Sequence, residues 1–596
     1  MTIESYLTGH GISDATIKRF GLLQGSHQKY GDQLVFPVKD IEGNFLFNKY
    51  RNLAWTKEGE TPKFVYDTGS NAQLYNISAL KDSEYAFLFE GEPDVWKASE
   101  DGIPAVCSTS GAGTFEEPWA ALLSGKKVLV CYDNDSAGEA GVKKIIEMLP
   151  DALPIPLPEG FKDYCDYRQK HSLKDFQMLV AQVIKDNTIS YDQFMETIDK
   201  WLLLPDKNVL KVLFAGLISH YFTTDPLWMF LVAPPSGTKT ELITLLSALP
   251  TVFMLSDLTP KTLFSGLEGK RKESPSLMMR IPNSILTMKD FTTVLSMRSD
   301  DKMMILGQLR EIYDGKYDKA FGTGEEIHWK GRITLVAGVT GIIDAQQQLL
   351  QMMGERFIMY RILQPNDKEV AKKAFSISGH ETEMRAELRA AMRKFFWGVK
   401  IPKVGEVIVP DEIINALASL ASFIVIARSG IVRNSYGAKE IELIPEPEAP
   451  SRFMKQLSVL VRALAVLNKR KAVTWEDYYL TLRVALDTVP RNKINHLLAL
   501  LQSDLVAKTS DLAKITGYSA AGTELLLEDL AALKLVDKEG WGMGSTFMWK
   551  LSNKTYSYLM DILPVVDEKL KLYFPEGDYY LPFIQKCIFL TTPEAE

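Results

Sequence analysis

Tyr85-Ala86-Phe87-Leu88-Phe89-Glu90-Gly91-Glu92-Pro93-Asp94 and, further on, Val128-Leu129-Val130-Cys131-Tyr132-Asp133-Asn134-Asp135-Ser136-Ala137-Gly138 share one plan: a short apolar run that stops at acids and a glycine. Such runs read as buried strands of a parallel sheet. Carboxylates at the carboxyl ends of those strands lie in the crevice where open α/β sheets bind ligands. Several acids gathered there repel one another unless a cation is present. Mg²⁺ suits the place, since it takes oxygens from a few carboxylates and keeps positions for water and phosphate. One such Asp alone is an ordinary helix N-cap. Two such runs, with Gly91 and Gly138 permitting tight turns, point to a site.

The rest of the composition bounds what surrounds that site. At 596 residues the chain divides into three or four domains, each able to bury its own core. An apolar share of 46% and a charged share of 24% are those of a soluble globular protein. The net charge of −7 excludes a chain coated in positive charge. It leaves room for nucleic acid, because local basic patches set the phosphate-contacting surface. Cys107, Cys131, Cys165 and Cys587 are scattered and form no CxxC pair. Neither a zinc ribbon nor a disulfide framework is supported, and a reducing cytoplasm is the expected setting. The amino terminus opens with polar residues and Glu4, so no signal peptide is expected. No apolar run approaches the roughly 20 residues that span a membrane.

Glu90-Gly91-x-x-Asp94 and Asp133-x-Asp135-x-x-Gly138 resemble the glutamate and DxDxxG motifs of the TOPRIM domain of bacterial-type primases, topoisomerases and related nucleases. The primase branch fits best, because the flanks match it. These are Tyr6-Leu7 to Gly21-Leu22, Gln33-Leu34-Val35-Phe36-Pro37-Val38, Asn48-Lys49-Tyr50-Arg51, Pro62-Lys63-Phe64, Leu74-Tyr75-Asn76 and Lys162-Asp163-Tyr164-Cys165-Asp166. The resemblance covers residues 1 to about 180, as a lobe over 1–80 and a TOPRIM domain over 81–180. No zinc-binding module precedes it in the sequence, a departure from that family. It implies that Glu90, Asp133 and Asp135 hold Mg²⁺ and act catalytically, supported by Asp94, Asp163 and Asp166. It also implies that Lys49, Arg51 and Lys63 contact nucleotide triphosphates or template phosphates. By themselves these basic residues read equally well as solvated surface.

A helical, polar linker is expected over 181–205. Beyond it, the strand-like Trp228-Met229-Phe230-Leu231-Val232 leads through Ala233-Pro234-Pro235-Ser236-Gly237-Thr238-Lys239-Thr240 into the helical Glu241 to Leu246. Strand, loop, Lys-Thr, helix is the context of a phosphate-binding loop: N–H groups and the helix dipole meet phosphates, the lysine reaches the β/γ oxygens, and the threonine hydroxyl holds Mg²⁺. Ala233 and Thr238 stand where glycines belong, and Gly237 supplies backbone freedom one position early. After Ser284 to Met288, Lys289 replaces the first acid of the expected Mg²⁺-holding pair and leaves Asp290, which argues against vigorous hydrolysis. A hairpin follows from Lys319 to Trp329 around Gly322-Thr323-Gly324. Then come the strand Ile333 to Gly338, ending at Val339-Thr340, and Gly354 to Arg361.

This order resembles the AAA+ ATPases, and among them the minichromosome-maintenance helicases and related helicases of phages and mobile elements. The resemblance covers about 210 to 490, with a core over 206–400 and a helical lid over 401–500. It implies that Ser236, Gly237, Thr238, Lys239 and Thr240 bind ATP, that Thr240 is an Mg²⁺ ligand, and that Asp290 is catalytic. Thr340 takes the sensor-1 position, Arg356 that of an arginine finger reaching a neighbour, and Arg452, in Pro450-Ser451-Arg452, that of sensor 2. Arg310 to Trp329 leads into a pore hairpin, and Thr474 caps the next lid helix. A homo-oligomeric ring, a hexamer, that pulls single-stranded DNA is implied. Taken alone, Arg356 or Arg452 reads as well as a surface ion pair.

Over 501–596, Thr509 to Ser519, Thr523 to Lys534, Leu535-Val536 and Trp541 to Leu551 follow the order helix, turn, helix and two-stranded wing. The reading helix carries Glu524, Glu528 and Asp529, which suit phosphates poorly, so protein contact stands beside duplex binding. The whole is an α/β multidomain chain: TOPRIM domain, AAA+ P-loop domain with helical lid, winged helix. The leading reading is a replication primase-helicase of a phage or mobile element that acts on single-stranded DNA and nucleotide triphosphates with partner replication proteins. A nuclease using the same acids, and a TOPRIM fold kept only for binding, stay open beside it.

Overall fold

Leu34, Phe36 and Val38 alternate with half-buried and exposed neighbours, the pattern of a strand with one face on a core. They lie in β2 (Gly31–Lys39), in an antiparallel sheet of order β1-β2-β3-β4 with β1 (Leu23–His27), β3 (Phe45–Arg51) and β4 (Phe64–Tyr66). The computed structural model describes residues 2–27, 30–56, 61–123, 125–235, 238–265, 276–321, 326–346, 354–364, 366–434, 439–540, 547–562, 573–574, 578–581 and 584–585. It divides into two units. The first comprises Met1–Phe194, Leu249–Thr251 and Ala391–Gly398, and the second the remainder.

The first unit's other sheet has the order β5-β7-β6-β8-β9, from β5 (Leu74–Tyr75), β6 (Tyr85–Phe89), β7 (Ala105–Ser108), β8 (Lys127–Cys131) and β9 (Leu153–Pro154). β6 runs parallel to both β7 and β8. Phe87, Phe89, Leu129 and Cys131 face one core, and Ala86, Leu88, Val128 and Val130 face another. Burial on both faces is why these strands are continuous apolar runs. From β6 the chain moves out to β7, then returns to β8 on the other side. The crevice at that reversal, beyond the carboxyl ends of β6 and β8, is the expected ligand position.

The second unit holds an all-parallel sheet of order β11-β12-β15-β10-β16, from β10 (Trp228–Val232), β11 (Val252–Leu255), β12 (Asn283–Met288), β15 (Arg332–Val339) and β16 (Phe357–Arg361). Its carboxyl end faces the loop before the helix Lys239–Leu246. The hairpin expected before β15 is present as β13 (Lys316–Ala320) and β14 (Glu326–Lys330), while its glycine turn at 322–324 lies outside the described residues. Helices Asp411–Ala427, Ser451–Leu467 and Trp475–Asp487 fill much of the span 401–500. Thr474 caps the last of them in a capping box with Asp477. A short antiparallel pair, β17 (Val432–Arg433) and β18 (Ile441–Leu443), lies between the first two of them.

The 181–205 segment is helical as expected over Tyr191–Trp201, and that helix buries Phe194, Ile198 and Trp201. Near the carboxyl end the sheet is three-stranded, order β19-β21-β20, from β19 (Val506–Lys508), β20 (Val536–Glu539) and β21 (Met548–Leu551), against the helices Thr509–Thr516 and Ala520–Ala532. The extra strand is three residues long, too short to register as a run. Residues 541–546 of the expected wing lie outside the described residues. Further on in the second unit, Tyr580 donates its hydroxyl to Asp487 Oδ1 at 2.9 Å and Asp578 pairs with Arg483 at 2.9 Å.

Candidate metal centre and nucleotide loop

Glu90 follows the last residue of β6, and Gly91 caps the helix Glu92–Glu100 that turns away beneath it. Burial pushes the Glu90 carboxyl up to about 7, and the charges of Asp133 and Asp135 add to that. Its Oε2 is buried with no hydrogen-bond partner among the described residues. Asp133, at the end of β8, is likewise raised by burial, opposed by Lys162, whose Nζ lies 3.2 Å from Oδ2. Gly138 is obligatory here, because a Cβ would overlap the backbone oxygen of Asp133. Asp135 is the N-cap of the helix Ser136–Met148, its Oδ1 accepting from the N–H groups of Ala137 at 3.0 Å and Gly138 at 2.9 Å.

Asp94 is buried one turn into the helix Glu92–Glu100. Burial, with the nearby charge of Asp163, pushes its carboxyl up to about 8, while it accepts the Cys165 N–H at 3.0 Å. Asp163 caps the helix Tyr164–Lys170, accepting from Asp166 N–H at 2.8 Å, and Asp166 accepts from Lys162 N–H at 3.1 Å. Among the described residues, the three ligand-type groups with atoms within 4.8 Å of one another are Asp94, Asp163 and Cys165. Glu90, Asp133 and Asp135 do not close to that distance, because Asp135 is turned toward its helix cap. The Cys165 thiol is pushed up by burial and stays protonated, a poor partner for a hard cation. Asp94 and Asp163 supply the carboxylate oxygens of that cluster, hard donors that suit Mg²⁺, and Glu90 and Asp133 stand outside it. The orphaned Glu90 oxygen and the carboxyls raised chiefly by burial belong to acids whose charged form a bound cation would favour.

The basic residues divide. Lys49 is a correction: it is 2% exposed, so it cannot meet phosphates from the surface. Its Nζ donates to Glu92 Oε1 at 2.5 Å and to the Thr109 carbonyl at 2.5 Å, and lies 3.9 Å from the centre of the Phe64 ring. Glu92 was not singled out from sequence, where it reads as one more acid in a turn. Arg51 is half-buried, its guanidinium 4.9 Å from the Tyr6 ring centre. Lys63 is exposed. Burial of its stem lowers its pKa, as do Arg51 and Lys162, while Asp133 and Glu90 raise it, which places it at the mouth of the acidic crevice. Lys162 therefore belongs to the site with Arg51 and Lys63. Its only sequence signal was its place in the last motif.

Residues 87–168 match the Toprim-like family. The Gene 57 protein of Mycobacterium phage D29 is 33% identical over 114 residues, a match that spans 19% of this chain and 72% of that protein. The chain belongs to the Toprim-like family. The DNA primase of Aquifex aeolicus is 29% identical to it over 174 residues, 26% of this chain and 34% of the primase. The DNA primase of Geobacillus stearothermophilus is 27% identical over 146 residues, 24% of its own length. The chain thus spans about a third or less of the length of these primases. Among solved structures, the Aquifex aeolicus primase (zinc-binding and RNA polymerase domains) aligns at 21% identity and a TM-score of 0.27, over 30% of this chain and 55% of that one.

In the second unit, Ser236 and Gly237 lie outside the described residues. Lys239 opens the helix after the loop and is 4% exposed, its Nζ donating to the Ala233 carbonyl at 3.1 Å. Burial lowers its pKa and Asp290 opposes that, so the two share one neighbourhood. Thr238 is the N-cap residue without a side-chain cap bond, and Thr240 is exposed. Asp290 accepts from Thr292 N–H at 2.9 Å, and Thr340 N–H donates to Thr292 Oγ1 at 3.3 Å, which gathers Asp290 and Thr340 at the ends of β12 and β15. Arg356 does not stand out toward a neighbour. It is 4% exposed and donates to both oxygens of Asp314, at 3.0 and 2.8 Å. Arg452 donates to the Gly354 carbonyl at 2.6 Å and to Glu448 at 2.7 Å, so both arginines meet around Gly354. No helix among the described residues is long and apolar enough to cross a membrane.

Proposed function

We propose that this chain is a replication protein of a phage or mobile element: a Toprim-like primer-synthesis site joined to an ATP-driven motor on single-stranded DNA. The observation that carries the first half is the Glu90 carboxyl beside Asp133, whose Oε2 finds no hydrogen-bond partner among the described residues, at the point where the sheet reverses its strand order. Glu90 and Asp133 would hold Mg²⁺, with Asp135, Asp94 and Asp163 around them. When bound, that ion stabilises charge on the attacking and leaving oxygens of phosphoryl transfer. Lys63, Arg51 and Lys162 flank the acids and supply positive charge for triphosphate or template phosphates. Asp94 accepts the Cys165 N–H and so sets the cap on which Asp163 sits.

Support for the motor comes from the parallel sheet of the second unit. Its strand β10, next to the central β15, feeds the Lys239 helix, with Asp290 and Thr340 at the ends of β12 and β15. On this reading Ser236, Gly237, Thr238, Lys239 and Thr240 cradle ATP, with Lys239 exchanging the Ala233 carbonyl for a phosphate oxygen. Lys289 in place of an acid predicts slow turnover. In a homo-oligomeric ring, a hexamer, Arg356 must leave Asp314 before it can reach a neighbour's nucleotide, while Arg452 orients the lid. The domain limits we assign are those of the sequence reading. The carboxyl-terminal helix-turn-helix is turned to protein: Glu528 and Asp529 already hold Arg433 of β17, at 3.3 and 2.8 Å.

The test is synthesis of labelled primers on single-stranded DNA with ribonucleotides and Mg²⁺. We expect primers from wild type and from Lys239→Ala, and none from Asp133→Asn/Asp135→Asn. The Lys239→Ala chain should lose ATP turnover. Shortening of the DNA instead of primer growth would transfer the site to nuclease chemistry.

A further inference from the structure

The helix Asp367–Ile377 has no buried residue along its length. Helices this short are marginal in water unless an apolar face packs against something. This one touches its own chain on one side, where Lys373 Nζ donates to the Lys200 carbonyl at 2.6 Å. Toward solvent it presents Phe375, 86% exposed. Lys368, Lys372 and Phe375 recur at the i, i+4, i+7 spacing of one helix stripe, so two positive charges precede an aromatic knob along it.

The same unit carries a complementary surface. On the helix Ser299–Tyr313, Asp300, Met304, Gly307 and Glu311 share one stripe at i, i+4, i+7 and i+11, all on the exposed side. Met304 is 50% exposed, and a Cβ at Gly307 would meet nothing within 4 Å. A glycine in a helix interior costs stability against alanine, and no close neighbour among the described residues requires it here. It leaves a hollow between Met304 and Glu311, bounded by acids. Asp300, in the first turn, also complements the helix dipole, but that explains neither the glycine nor the methionine.

We infer that these stripes meet across two copies of the chain: Phe375 of one copy seats over Gly307 of the next with the two helices running the same way, which sets Lys368 and Lys372 on the Asp300 side. Because the patches are different surfaces of one molecule, the contact is head-to-tail and propagates into a ring or a filament. This names the surfaces of the homo-oligomer proposed above and rests on that reading for closure into a ring.

Sedimentation velocity of the full chain across a concentration series, with and without ATP and Mg²⁺, tests it. Wild type should associate. Phe375→Ser and Lys368→Glu/Lys372→Glu should each weaken association at least ~10-fold, as loss of an interface anchor does. Both changes lie at exposed positions, so folding should be untouched. Gly307→Leu should do the same by filling the hollow, whereas a glycine of purely local importance would leave association unchanged. Combining Lys368→Glu/Lys372→Glu with Asp300→Lys in one chain should restore association. An oligomer indifferent to all of these variants would overturn the interface and leave the ring reading standing. A wild-type monomer in every condition would overturn both.

Discussion

Asp133 and Asp135 do different work although they look alike in sequence: one carboxyl is raised by burial beside Lys162, the other caps a helix. Replacing both with Asn should therefore leave the metal-free protein no less stable, because Asn relieves the repulsion at 133 and remains a good N-cap at 135. Mg²⁺ or Mn²⁺ should raise the Tm of wild type with occupancy and leave that of the double variant unmoved. Calorimetry giving the same metal-induced shift in both would remove these acids from the site. Lys49 illustrates what residue-level reading misses. Phe47, Lys49 and Arg51 recur at the period-2 spacing of one strand face, and Phe47 is core, so the pattern itself pointed Lys49 inward. Its partner Glu92 is distant in sequence, and pairing over that separation is not visible in one chain. Lys49→Ala should cost ~3–5 kcal/mol by stranding the buried Glu92 carboxylate. Lys49→Met/Glu92→Met should recover most of that in urea titrations.

At the scale of elements, what was legible was what burial on both faces imposes. The apolar runs of β6, β8 and β10 announce parallel strands, and the acids or loops after them mark the crevices. Gly138 was legible as a turn residue, but its reason is a close approach between the first turn of a helix and the end of β8. Gly138→Ala must push the Ser136–Met148 helix off Asp133, at a cost of at least ~1–3 kcal/mol. The metal-dependent Tm shift should shrink more than the overall Tm, since the displaced atoms carry the ligand. An unchanged metal response would show that the approach serves packing alone. Less legible was β19, three residues long. The helix Tyr191–Trp201 was legible as a helix, but not the burial of its spaced apolar side chains.

For the molecule as a whole, the division into units escaped the sequence because contacts that define it are non-local. Trp397 joins the first unit's core, and its indole N–H donates to the Asp151 carbonyl at 2.9 Å, across a long stretch belonging to the second unit. The two units should also answer acid in opposite directions. In the first, burial pushes the Asp151 carboxyl up to about 6, against the pull of Arg393. A raised carboxyl favours the fold below its unfolded pKa near 4, and that stability is lost as pH rises through about 6. In the second, burial beside the Arg332 guanidinium holds His220 down at about 4, its Nδ1 lying 3.1 Å from Thr334 Oγ1. A depressed histidine leaves the fold at full stability above the unfolded pKa near 6.5, and stability falls as pH drops from there to about 4, by up to ~3 kcal/mol. Scanning calorimetry between pH 7.5 and 4.5 should therefore resolve two transitions that separate on acidification, as the His220 unit loses ground relative to the other. Asp151→Asn should flatten the pH dependence of the first transition, and His220→Gln should flatten the acid limb of the second. Flattening of both transitions by either single change would mean that the units unfold as one body.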